Sequence, residues 1–195
     1  TGWNKDIIEP LLQHYGIKTH WIDIVDNIWV ALWFALHKTS STIADGREYI
    51  HMFENDDDEY GYVLLIGCDA QDNNPYQAGV YKSTSTIMVD LRKAVPSFFL
   101  RPHAQHALML RKRSSKYEDF MDYTDRIIGI AKIRVKDGLK WIGQTGLLSV
   151  QSLFPPPYYD TGYANLLNEY KKPSNNQINT VDYIKLFGSI QDISH

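Results

Sequence analysis

Residues 11–37 read "LLQHYGIKTHWIDIVDNIWVALWFALH", with Gln-His-Tyr-Gly and an aspartate leading into an uncharged apolar run. Three side chains here have types suited to chemistry. His14 can act as a general base, donate to a ligand, or cap a helix end. Tyr15 offers a ring to a core or a stacking platform. Asp23 stands among Trp21, Ile22, Ile24 and Val25, where an ionised carboxylate is costly unless it is paired. Its donors would be backbone N–H groups, Thr19 or Arg101. That pairing either fixes a turn or holds a carboxylate at a pocket wall, facing a ribose hydroxyl or a developing cation.

A second polar stretch, "RPHAQHA" from Arg101 to Ala107, brings two histidines three residues apart. On a helix His103 and His106 share a face, but Pro102 and the apolar alternation after it predict a strand. Spacing supplies no third ligand, so the zinc signature is weak. Gln105 can read an amide or hydroxyl of a ligand, or cap a buried backbone group. "STSTI" lacks the Gly-x-Ser-x-Gly turn of a serine nucleophile and reads as a threonine-rich strand edge. Cys68 has no cationic neighbour in sequence to activate a thiolate.

The elements that must carry these residues follow from periodicity and punctuation. Pro10 opens a helical turn over 10–15 that stops at Gly16, a residue suited to the left-handed position after a helix. Residues 17–25 read as a strand. Asp26 reads as the N-cap of a helix over about 27–37. That helix is apolar on every face yet too short for a membrane, which predicts a central, buried one. Residues 38–60 read as a polar, acidic excursion. Strands are expected at Tyr60–Cys68, Ser83–Leu91, from Gln105 onward and at Arg126–Val135. A helix is expected to end near Gly143 or Gly146, and another spans Tyr163–Tyr170. Helices followed by strands with few helices between them indicate an α+β fold, with a mostly antiparallel or mixed sheet. No Gly-rich phosphate loop of the Walker or Rossmann kind is present.

Bulk properties narrow the class. With 195 residues and no internal repeat, the chain suggests one domain and a tail. The net charge of −3 supplies no electrostatic footprint for nucleic acid or an anionic membrane. The basic run Arg111 to Lys116 and the acidic run Glu54 to Glu59 read as solvated loops. A single cysteine, no signal-peptide pattern and no span of 18–20 apolar residues lead us to expect a cytoplasmic protein.

With these segments assembled, the chain resembles the FRG domain family. "LLQHYGIKTHWID" is similar to the family's Gln-His-Tyr-Gly and Thr-Arg-Leu-Leu-Asp block, and "VALWFA" to its Val-Ala-Leu-Tyr-Phe-Ala helix. "RPHAQHALML" resembles its Arg-x-x-Ala-Gln block, and "GLLSVQSLFPPP" its closing segment. Together they cover residues 7–167, implying an FRG-like domain over 1–170 and a polar tail over 171–195. His20 replaces the family's usual Arg, and Ile24-Val25 its Trp-Thr. The Phe-Arg-Gly triplet that names the family is absent and is expected upstream.

The resemblance extends to folds like those of ADP-ribosyltransferases, which implies an effector of a bacterial toxin or phage-defence protein. It implies a nucleotide-like ligand of the NAD or ADP-ribose type. Tyr15 or Trp21 would then stack a nicotinamide or adenine, with His14, Thr19 and Arg101 lining the ligand. Asp23 and Gln105 would take the catalytic positions beside the ribose, although Gln105 stands where a catalytic Glu is expected and cannot act as a base. The alternative is a non-catalytic protein-binding or structural module. A metal hydrolase built on His14, His103 and His106 is a third, more distant reading.

Overall fold

The computed structural model describes residues 5–17, 19–44, 47–54, 59–69, 72–73, 77–113, 121–143 and 148–170. The first helix, α1 (Lys5–His14), begins well before the predicted start and carries Pro10 in its interior. Ile7, Ile8, Leu11 and Leu12 repeat at i, i+1, i+4 and i+5, one apolar stripe whose burial outweighs the hydrogen bond lost at Pro10. The helix ends as predicted at Gly16, with φ at +99°. Gly16 N–H donates to Gln13 O at 2.8 Å and Ile17 N–H to Leu12 O at 3.0 Å. This pair of bonds is the Schellman closure, and Ile17 packs against the core behind it.

The strand β1 is confined to Ile22–Val25, because residues 19–21 are occupied by the turn that leads out of α1. Asn27, not Asp26, caps the next helix, α2 (Ile28–Leu36): its side chain accepts from Trp29 N and Val30 N. Moreover, α2 is not buried all round. Val30, Leu32, Trp33 and Leu36 are buried, whereas Ile28 and Trp29 are about half exposed at its first turn.

Residues 38–60 are not an irregular excursion. They hold an antiparallel hairpin, β2 (His37–Ala44) paired with β3 (Arg47–Glu54). Alternating Ser, Thr and Ile positions are compatible with a strand even where few are apolar. The rest of the acidic run, 55–58, lies outside the described residues, as does the tail over 171–195.

Then follow β4 (Tyr60–Ile66), β5 (Asp72–Asn73), β6 (Val80–Lys82), β7 (Thr86–Asp90), α3 (Leu91–Ala94), α4 (Leu100–Ala104) and β8 (Ala107–Lys112). The remainder comprises β9 (Ile127–Arg134), α5 (Val135–Ile142), α6 (Val150–Leu153) and α7 (Thr161–Tyr170). Arg101, Pro102 and His103 lie on a helical turn, and the strand expected from Gln105 onward is β8, which begins at Ala107. Pro102 sits in the first turn of α4, where its missing N–H is no loss.

The fold is α+β, as expected, and every strand pair among the described residues is antiparallel. Five strands form one sheet in the order β1-β8-β7-β6-β5, and β4 pairs with β9. Two cores result. Helices α1, α3 and α7 cover the face of the larger sheet that carries Val80, Val89 and Met109. Helices α2, α5 and α6 pack with Val63 of β4 and Ile133 of β9.

Register places the candidate residues. Val80, Val89, Met109 and Asp23 form one cross-strand row, apolar until it reaches the edge strand. Asp23 therefore faces the α1 side of the sheet at its rim. Arg111, on the same face of β8, is not a solvated basic residue: its guanidinium lies 4.9 Å from the Trp21 ring and 3.5 Å from Glu9.

Candidate functional site

The expected constellation separates into three local arrangements. At the rim, the His14 Nδ1 stands 3.1 Å from Asp23 Oδ1. The His14 side chain is only 5% exposed, while that of Asp23 is 51% exposed. Asp23 is thus not a buried carboxylate, and Arg101 is not its partner. An edge strand leaves one side of the carboxylate open to water, which meets its solvation need without a guanidinium. His14 turns away from the helix carbonyls, because Asp23 is the stronger acceptor. Its Nε2 is buried with no hydrogen-bond partner among the described residues.

Gln13 closes the same rim. Its Nε2 donates to the Trp21 carbonyl and, at 3.3 Å, to Asp23 Oδ2. Its Oε1 accepts from Thr19 N at 3.2 Å and from the Thr19 hydroxyl. Trp21 is buried under α1, with its Nε1 donating to Glu9 at 3.4 Å. The ring is packed into the core and offers no free stacking face.

The second arrangement lies deeper. The Tyr15 hydroxyl donates to Asp160 Oδ2 at 2.5 Å. Asp160, fully buried, also accepts from the backbone N–H groups of Leu100, Arg101 and Tyr163. Burial, reinforced by the neighbouring Asp160 carboxylate, pushes the Tyr15 phenol far above its ordinary range. Arg101 is 4% exposed, with its guanidinium 4.8 Å from the Tyr15 ring, 4.5 Å from Tyr163 and 5.4 Å from Phe154. Tyr15 and Tyr163 belong to one core, while Phe154 packs against the other. Arg101 is therefore wedged between the two cores.

Gln105 forms the third. It is buried at the end of α4, and its Nε2 donates to the Leu153 carbonyl at 2.8 Å. Its amide is engaged in tying α4 to α6.

Several polar groups escape the sequence reading. Asp160 has a recoverable signal, since a proline run followed by Tyr-Tyr-Asp before a helical stretch marks an N-cap. Arg92 had none. Its guanidinium meets Asp26 at 2.7 Å and Asp90 at 2.8 Å, with His106 Nδ1 3.1 Å from Asp26. Burial alone would raise the Asp26 and Asp90 carboxyls, but Arg92 overrides it and holds both below the usual range. His106, at φ +53°, also faces the Asn27 amide at 3.3 Å. Ser83 and Ser85 of "STSTI" donate to Asp69, which pairs with Arg126 at 2.8 Å. Burial and the adjacent Asp69 raise the Cys68 thiol, so it is not an activated nucleophile. Among the described residues, no group of three His, Cys, Asp or Glu side chains could hold a metal ion. No helix among them is long and apolar enough to cross a membrane.

Residues 2–43, which include the whole Gln-His-Tyr-Gly rim, match the FRG domain family, bearing out the FRG resemblance over that segment. No curated protein and no solved structure matches the chain.

Proposed function

We propose that this chain, with its FRG segment as the core of an FRG-like unit over 1–170, binds a nucleotide-like ligand of the NAD or ADP-ribose type. The ligand sits at the rim where α1 ends against β1. One observation carries this reading: an imidazole almost fully withdrawn from water is anchored at Nδ1 by a half-exposed carboxylate, while its other nitrogen has no partner among the described residues. A buried polar atom left unsatisfied costs about 1–3 kcal/mol, a penalty that a ligand hydroxyl reaching it would relieve. Asp23 keeps an open side to water, through which the ligand approaches. Arg101, Tyr15 and Gln105 are engaged within the fold and would not touch the ligand.

In an ADP-ribosyltransferase-like reaction, nicotinamide would leave with the electron pair of its bond to the ribose. Asp23 would face the positive charge that develops. An acceptor hydroxyl would form the new bond to the ribose carbon and lose its proton to water at the open side of Asp23.

A specific observation favours a second reading, a non-catalytic protein-binding or structural module. Tyr15, Trp21 and Gln105, expected to contact a ligand, are instead engaged within the fold.

Thermal melting with and without millimolar NAD or ADP-ribose separates the two, on the native sequence and on Asp23→Asn. A molecule that binds only the folded state must raise the melting temperature, by an amount corresponding to about 2.7 kcal/mol at a hundredfold excess over Kd. We expect a rise with the native sequence that Asp23→Asn abolishes while remaining folded. No rise with either nucleotide would leave the module reading in its place.

A further inference from the structure

We infer that Gln13 is the positioning residue of this rim: through Asp23 it locks His14 with its proton on Nδ1, so that Nε2 receives a hydrogen-bond donor and not an anion. The inference deepens the ligand reading above and rests on it for the identity of the site.

The orientation of the Gln13 amide is forced by its neighbours. The Trp21 carbonyl only accepts, so it must face Nε2; the Thr19 backbone N–H only donates, so it must face Oε1. A flipped amide would turn both contacts into repulsions. The remaining positions are also engaged, Nε2 on Asp23 Oδ2 and Oε1 on the Thr19 hydroxyl. Two donors and two acceptors are all that a glutamine amide possesses. Thr19 is held in turn, because its Oγ1 accepts from Trp21 N at 3.2 Å.

The consequence passes to His14. Gln13 holds one oxygen of Asp23, and the other lies 3.1 Å from His14 Nδ1. An ionised carboxylate only accepts, so the proton of a neutral imidazole must reside on Nδ1. Nε2 is then a bare lone pair, and it is buried. A lone pair attracts the O–H of a ribose or the N–H of a carboxamide and repels phosphate or carboxylate oxygen. The ligand therefore presents its sugar or amide to this rim, with its phosphates elsewhere.

Long-range proton–nitrogen NMR of the imidazoles in the full chain reads the tautomer directly, without any ligand. In the native sequence, His14 should carry a protonated Nδ1 and an unprotonated Nε2. Gln13→Ala should shift the tautomer ratio several-fold toward the Nε2-protonated form, as should Asp23→Asn. Gln13→Met, which keeps the volume, serves if the alanine variant does not fold. A residue that only braces the turn would lower the melting temperature and leave the imidazole signature unchanged. That result, or a native His14 protonated on Nε2, would overturn the inference. So would inorganic phosphate shifting the Nε2 resonance as strongly as NAD does. If His14 is locked as expected but NAD moves nothing, the ligand reading fails while the positioning role stands.

Discussion

At the scale of single residues, the aromatic and acidic groups beneath the rim are satisfied by one another, and Tyr15 shows what that satisfaction is worth. Its hydroxyl is one of four donors converging on Asp160, and the other three are backbone N–H groups. Tyr15→Phe removes the only side-chain donor among them. We expect a loss of about 1–2 kcal/mol in denaturant unfolding at neutral pH, with the fold intact. The folded phenol titrates above its unfolded value, so its contribution is fully present below about pH 10 and is lost as the pH rises beyond that. The difference between the native sequence and Tyr15→Phe should hold steady to about pH 9 and narrow above 10. A difference that widened on the alkaline side would contradict this assignment. The sequence identifies Tyr15 and Asp23 as residues of interest but assigns Asp23 to the wrong environment. Alternation along a strand tells which face a residue takes; it does not tell that the strand is at an edge, and edge position is what leaves Asp23 wet. The role of Gln13 is hidden in the sequence for a related reason. Its four bonds go to residues that only the Schellman reversal brings together.

At the scale of elements, glycines set how closely α2 approaches its neighbours. A Cβ on Gly61 would stand 2.5 Å from the Ala35 carbonyl oxygen, which is backbone and cannot move without shifting α2. A Cβ on Gly138 would stand 2.7 Å from both terminal methyls of Leu36, the ends of a flexible side chain. Gly138 also lies within α5, where alanine gains about 1 kcal/mol of helix propensity. Gly61→Ala should therefore cost about 2 kcal/mol, in the range of overpacking, while Gly138→Ala should be close to neutral. Equal losses in thermal unfolding would mean that β4 and α5 meet α2 with similar tolerance, against the geometry. Elements were legible where the period was strong: β9, α5 and α7 lie close to their expected bounds. The α1 start is not legible because Pro10 suits the first turn of a helix, whereas the apolar stripe on both sides of it carries the helix through. The β2–β3 hairpin is not legible in the sequence because its residues lack apolar alternation; only the pairing between the two strands reveals it.

At the scale of the whole molecule, two cores must be held together, and polar ties cross between them. Gln105 joins α4 to α6, Arg101 is wedged among rings of both cores, and Arg126 links the end of the β4–β9 ribbon to the β6–β7 turn through Asp69 and Ser85. Arg92 clamps Asp90, at the start of α3, to Asp26, in the connection between β1 and α2. Sequence reading locates none of these ties, since each joins residues far apart in the chain by geometry alone. Arg92→Met keeps much of the side-chain volume and leaves Asp90, with only 3% of its side chain exposed, without its guanidinium. Breaking a fully buried pair costs about 3–5 kcal/mol. Because the Asp26 half of this clamp is wet and screened, we expect about 2 kcal/mol at neutral pH. Both carboxyls titrate below their unfolded values in the fold, so their contribution is present above about pH 4 and is lost as the pH falls through the folded values. The gap between the native sequence and Arg92→Met, measured by urea unfolding at pH 7, 4 and 3, should shrink as acid is added. A gap independent of pH would mean that Arg92 acts through packing of its aliphatic stem, and that the two cores are joined by contact and not by charge.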